Sequence, residues 1–81
     1  MSYAGKYDIN VQGTPRFSVR AAVALKLGIK GQQKVHLTVT ENGKLQFRDW
    51  HTLRSGLEVY GSNIAAAIKP RARIHVVVRT K

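Results

Sequence analysis

Apolar and polar residues alternate along three stretches of this chain, and a period of two predicts half-buried strands. From Tyr7, the residues Tyr7, Ile9 and Val11 fall on one side and Asp8, Asn10 and Gln12 on the other. Lys34 to Thr40 repeats the pattern, with Val35, Leu37 and Val39 inward and Lys34, His36, Thr38 and Thr40 outward. The third stretch, Arg73 to Lys81, turns Ile74, Val76 and Val78 inward and Arg73, His75, Val77, Arg79 and Lys81 outward.

The segments between these strands change period. Gly13, Thr14 and Pro15 break the first strand, and Ser18 is placed to cap a main helix over 19–28. In that helix Val19, Val23 and Leu27 share a face with Ala22 between them, and Gly28 suits the C-cap. Asn42-Gly43 signals a hairpin from the second strand into Lys44 to Arg48. A three-residue loop of Glu41, Asn42 and left-handed Gly43 would match the apolar faces, pairing Val39 with Leu45 and Leu37 with Phe47. Asp49 to Ser55 reads as a connecting loop carrying Trp50, His51 and Arg54. Leu57 to Tyr60 suits either a strand or a helix. The poor helix formers Gly61-Ser62-Asn63 favour a strand, a turn and a short second helix over 63–68, ended by Pro70.

These elements describe a β-rich α+β chain forming a single domain over 1–81. If Ser55 to Ile68 were one helix, the order would become the ferredoxin-like βαββαβ arrangement instead. An internal echo also runs through the chain. Ile29-Lys30-Gly31-Gln32-Gln33-Lys34-Val35-His36-Leu37-Thr38-Val39 is followed thirty-nine residues later by Ile68-Lys69-Pro70-Arg71-Ala72-Arg73-Ile74-His75-Val76-Val77-Val78. Residues 7–40 and 44–80 therefore read as pseudo-repeats, although two amphipathic strands after two helices produce such an echo as readily by chance as by duplication.

Residues 7–48 resemble the AbrB and MazE-like (SpoVT-AbrB) family of swapped-hairpin DNA-binding domains, and more distantly the SymE-like proteins. The likeness lies in Pro15-Arg16-Phe17-Ser18-Val19, the helix to Leu27-Gly28-Ile29, the turn Gly31-Gln32-Gln33-Lys34, Val35-His36-Leu37-Thr38-Val39, and Asn42-Gly43-Lys44-Leu45. The resemblance implies a small barrel of swapped-hairpin or double-psi type, a homodimer that interleaves its hairpins, and DNA lying against basic strands and loops, with Arg16 and Arg20 in the contacting segment. Residues 49–81 lack the acidic, toxin-neutralising character of an antitoxin tail. Their echo of the first half implies that one chain supplies both halves of the barrel.

Charge narrows the function further. Fourteen Lys and Arg against four Asp and Glu give a formal charge of +10, which attracts polyanions. Phosphate is the expected counter-charge, with nucleic acid as partner: DNA first, RNA second. The absence of cysteine removes disulfides and thiolate metal sites and suits a reducing cytoplasm, at the nucleoid if DNA is the ligand. No apolar stretch approaches the ~20 residues that cross a bilayer, and no cofactor is implied. The candidate phosphate-gripping residues are Arg16, Arg20, Lys34, His36, Lys44, Arg48, Arg54, Arg71, Arg73, His75 and Arg79, and Trp50 is the candidate for base stacking. The strand-borne members, with Gln46 and Lys81, are expected to form one face without a carboxylate. Lys26, Lys30 and Lys69 add to the charge around the helices, where cations also complement helix C-termini.

The expected function is a dimeric DNA-binding transcriptional regulator, with an RNA-binding module as the alternative. Asp8, Glu41, Asp49 and Glu58 are scattered and no metal-ligand spacing occurs, so an enzyme is not expected. The remaining catalytic reading is a small ribonuclease toxin with His36 and His75 as acid and base, should their strands adjoin.

Overall fold

A computed structural model describes residues 4–80 of the chain. It is an α+β, strand-rich fold. In chain order the elements are β1 (Ala4–Asn10), β2 (Phe17–Ser18), α1 (Ala21–Leu27), β3 (Lys34–Glu41) and β4 (Lys44–Thr52). A single 3-10 turn (Ser55–Leu57) then leads to β5 (Glu58–Val59), α2 (Ser62–Ala67) and β6 (Arg73–Arg79). The four long strands form an antiparallel sheet in the order β1-β6-β3-β4, and β2 pairs antiparallel with β5 in a second, two-stranded sheet.

The inward alternation of β3 and β6 holds: Val35, Leu37, Val39, Ile74, Val76 and Val78 are all buried. All but Leu37 are β-branched, and such side chains suit a pleated surface whose inner side is dry. Facing them across the core are Phe17, Val59, Ala24, Ile29, Ile64 and Ile68, so β2, β5 and the helices form the second layer. Tyr7 also points inward and its hydroxyl donates to the Ser18 carbonyl at 3.0 Å, tying β1 to β2.

Several local expectations are corrected. α1 begins at Ala21, with Arg20 rather than Ser18 at its N-cap, because Phe17 and Ser18 are drawn into β2 by pairing with Val59 and Glu58. Within α1, Ala24 is buried, Val23 and Leu27 are half-buried, and Ala22 is exposed. Gly28 does end the helix in the left-handed conformation (φ 68°). α2 lies within a residue of its expected bounds.

The hairpin differs more. Glu41 pairs with Lys44, leaving the two-residue loop Asn42-Gly43 with both residues at positive φ (53° and 78°). That is the backbone demanded by the tight hairpin turn whose twist matches its strands. The register then shifts by one residue beside Val39 and Thr40, so Val39 opposes Phe47 and Leu37 opposes Asp49. A bulge at Gln46, not a longer loop, restores the phase of the apolar faces. β4 also continues through Trp50 and His51 to Thr52, where a loop was expected.

The long elements do run βαββαβ, but the ferredoxin-like expectation fails in two respects. Ser55 to Ile68 is not one helix, and the last strand lies inside the sheet between β1 and β3. The observed arrangement instead maps onto itself. Moving half the chain along carries β1 to β4, β2 to β5, α1 to α2 and β3 to β6, and the sheet order reverses onto itself. Matching backbone bonds follow the same rule. Val11 N donates to Ala72 O at 2.8 Å and Leu53 N to Gln33 O at 2.9 Å; Gln12 N donates to Arg16 O at 3.1 Å and Arg54 N to Glu58 O at 2.9 Å.

Candidate nucleic-acid interface

Residues directly opposed on antiparallel strands share a face, so the register determines what the outer side of the sheet presents. One row across it runs Arg79, His36, Trp50. The next runs Lys6, Val77, Thr38, Arg48, and the third Asp8, His75, Thr40, Leu45. Arg73 opposes Asn10 beyond one end, and Lys34 opposes Thr52 beyond the other.

Five cations, Lys6, Lys34, Arg48, Arg73 and Arg79, therefore stand on this face with His36 and His75. Asp8 is the carboxylate on it, and its Oδ1 lies 2.9 Å from His75 Nδ1. That corrects the expectation of a face without acid. Among the described residues the five cations make no ion pair; Arg73 reaches Asn10 Oδ1 at 3.4 Å. Lys6 was missed because Gly5 interrupts the alternation before Tyr7, although its polar-apolar phase continues back from Asp8. Lys81 lies outside the described residues.

Trp50 is brought onto the same face by the extension of β4. It stands opposite His36, and the two rings meet edge to face with centroids 5.4 Å apart. The indole remains 41% exposed on the side of the sheet away from the core. Beside it, Thr38, Leu45, Arg48, Val77 and Arg79 line a shallow depression of about 370 Å³. The bulge turns Leu45 outward, leaving it 52% exposed, whereas Lys44 takes the opposite phase beside the turn and Gln46 occupies the bulge. Neither Lys44 nor Gln46 joins the face.

The other predicted cations lie off this face, and Arg16, Arg20 and Arg54 are held by internal partners. Arg16 donates from Nε to Gln12 Oε1 at 3.1 Å and lies 3.9 Å from the Glu58 carboxylate. Arg20 donates to the Asp8 carbonyl at 2.7 Å and sits 5.5 Å from the centre of the Tyr7 ring. Burial pushes the Tyr7 hydroxyl well above its usual range, and the Arg20 contacts only partly offset this. Arg54 donates to the Tyr60 carbonyl at 3.1 Å and covers the Tyr60 ring. Arg71 occupies a left-handed turn (φ 64°) before β6.

A second concavity of about 830 Å³ opens beside this layer, with His51, Arg54, Glu58 and Tyr60 in its wall. His51 is inward-facing and buried, and its Nε2 has no hydrogen-bond partner. Burial, then the charge of Arg54, hold its pKa below the usual histidine value, against the opposing effect of the Tyr60 carbonyl.

His36 and His75 share the sheet face without adjoining. His75 opposes Thr40, four residues along β3 from His36, which separates the two by about 13 Å along the strand. One phosphodiester cannot be reached by both within hydrogen-bond range. Among the described residues no three His, Asp or Glu side chains gather as a metal site, and no helix is long and apolar enough to cross a membrane. No protein-family model, curated protein or solved structure matches the chain.

Proposed function

We propose that this chain is a nucleic-acid-binding protein that grips phosphates through the outer face of its four-stranded sheet. The observation that carries this reading is the convergence of Lys6, Lys34, Arg48, Arg73 and Arg79 on one surface whose sole described acid, Asp8, is engaged by His75. Like charges gathered without counter-charges raise the local potential, and a polyanion relieves it while releasing its own counterions. Binding, not catalysis, is the role assigned to the two histidines, whose separation denies them a shared phosphodiester.

The test is a binding titration across a salt series with DNA and RNA. Five phosphate contacts correspond to a log-log salt slope of about −4.5 on duplex DNA and less on a single strand. A slope near zero, or no binding at about 50 mM salt, would refute the reading.

A second, finer reading is a cytoplasmic DNA-binding regulator built as one chain's version of the swapped-hairpin or double-psi barrel. Its support is the repeated element order, together with the β2–β5 pair that joins the two halves. Because the core is assembled within one chain, a homodimer would form through outer surfaces, not by interleaving. Specific retention of one duplex sequence over shuffled duplexes would carry this reading; indifference to sequence would end it.

A further inference from the structure

We infer that the sheet face takes an unpaired stretch of nucleic acid, with a backbone phosphate between Arg48 and Arg79 and a base stacked on Trp50. This rests on the polyanion reading above and names the form of nucleic acid that fits it.

Shape supplies the first argument. Four strands span about 14 Å between outer backbones before side chains are counted, whereas a major groove about 12 Å wide admits a helix or a two-stranded ribbon. The face is too broad to enter a duplex groove, but it is open to a strand laid across it.

The second argument is the chemistry at its centre. Arg48 and Arg79 flank the depression floored by Thr38 and Val77, and neither has a carboxylate partner among the described residues. Two guanidinium groups and a hydroxyl suit a phosphodiester oxygen pair. Trp50 lies two residues from Arg48 on the same face of β4, about 7 Å along the strand, in the row that also holds Arg79. Its orientation is set by the edge-to-face contact with His36, yet the core makes no use of its ring. In a duplex the base faces are already occupied by their neighbours. An unpaired base brings a free π-face, and stacking then adds affinity to the electrostatic grip.

Trp50 is the one tryptophan of the chain, so its fluorescence reports on this site directly. The probes are oligo-dT and oligo-U of about ten nucleotides, a duplex of equal length, and an abasic deoxyribose-phosphate strand of equal charge. At the same salt, either base-bearing single strand is expected to quench Trp50 and bind at least tenfold more tightly than the duplex. Trp50→Ala, followed with labelled strands, is expected to lose about tenfold on the base-bearing strand and nothing on the abasic one, while Trp50→Phe keeps most of the affinity. Arg48→Gln with Arg79→Gln is expected to lower the salt slope by about 1.4 on the single strands and about 1.8 on the duplex. Equal or tighter duplex binding with Trp50 fluorescence unchanged would overturn this inference and leave the polyanion reading standing. Failure of every probe, the abasic strand included, would remove both.

Discussion

Thr38 and Val77 face each other across β3 and β6, and each is the other's counterpart, thirty-nine residues apart in the internal echo. The pairs on either side, Leu37 with Val78 and Val39 with Val76, are exchanged by the same relation. The central ladder of the sheet is therefore formed by two like strands meeting head to tail, and equivalent positions should have equivalent energetics.

Val39→Ala and Val78→Ala test that equivalence, since both side chains are fully buried at matching positions. Each is expected to cost about 2 kcal/mol from lost burial and the cavity left behind. Urea midpoints should place the two variants within about 0.5 kcal/mol of one another, within the scatter of independent sites.

Gly5 has no room for a side chain. A Cβ there would collide with Val23 Cγ1 and press on Leu27, so α1 packs directly on the β1 backbone. Gly5→Ala is expected to destabilise by about 2 kcal/mol through overpacking, and Gly5→Ala with Val23→Ala should recover part of that loss. Thermal unfolding of the single and double variants provides the measurement.

His51 makes stability depend on pH with a definite sign. Its folded-state pKa is lowered, chiefly by burial, so the unfolded chain binds a proton first as pH falls below about 6.5. The contribution of neutral His51 is present above that value, diminishes as pH falls toward the depressed folded pKa, and levels off below it. Unfolding midpoints at pH 7.5 and pH 5 should differ less in His51→Asn than in the parent chain. An unchanged difference would contradict the assignment.

The two groups of cations should separate in salt-dependent binding. Lys6→Gln, Lys34→Gln or Arg73→Gln, each on the sheet face, is expected to reduce the salt slope by about one. Arg16→Gln and Arg54→Gln, whose guanidinium groups are engaged within the second layer, should leave it nearly unchanged. Nucleic-acid affinity at several salt concentrations decides between a localised interface and a diffuse charge effect.

Much of this architecture can be read locally because a buried face imposes its period on the residues beneath it. The inward sets of β3 and β6, the left-handed stop at Gly28 and the short α2 all follow from such near-neighbour rules. What escapes is decided by partners far along the chain. Ser18 is a good helix cap in isolation, yet its pairing with Glu58 places it in β2. Trp50 and His51 look like loop residues until β3 supplies His36 and Val35 as ladder partners. The Gln46 bulge and the longer loop both keep Phe47 inward and differ in where they send Leu45, a choice that local alternation does not make. For the candidate interface, strand phase identifies Lys34, His36, Arg48, Arg73, His75 and Arg79, whereas the separation of Arg16, Arg20, Arg54 and Arg71 depends on how the layers stack.

In the sheet, β1 touches only β6, so Ala4 pairs with Arg79. During synthesis β1 has no sheet neighbour until β6 has followed it out of the ribosome. Its edge is meanwhile open to strangers, and closure of the long loop from β1 to β6 precedes its docking. Synthesis must reach β6 before the sheet can take in β1.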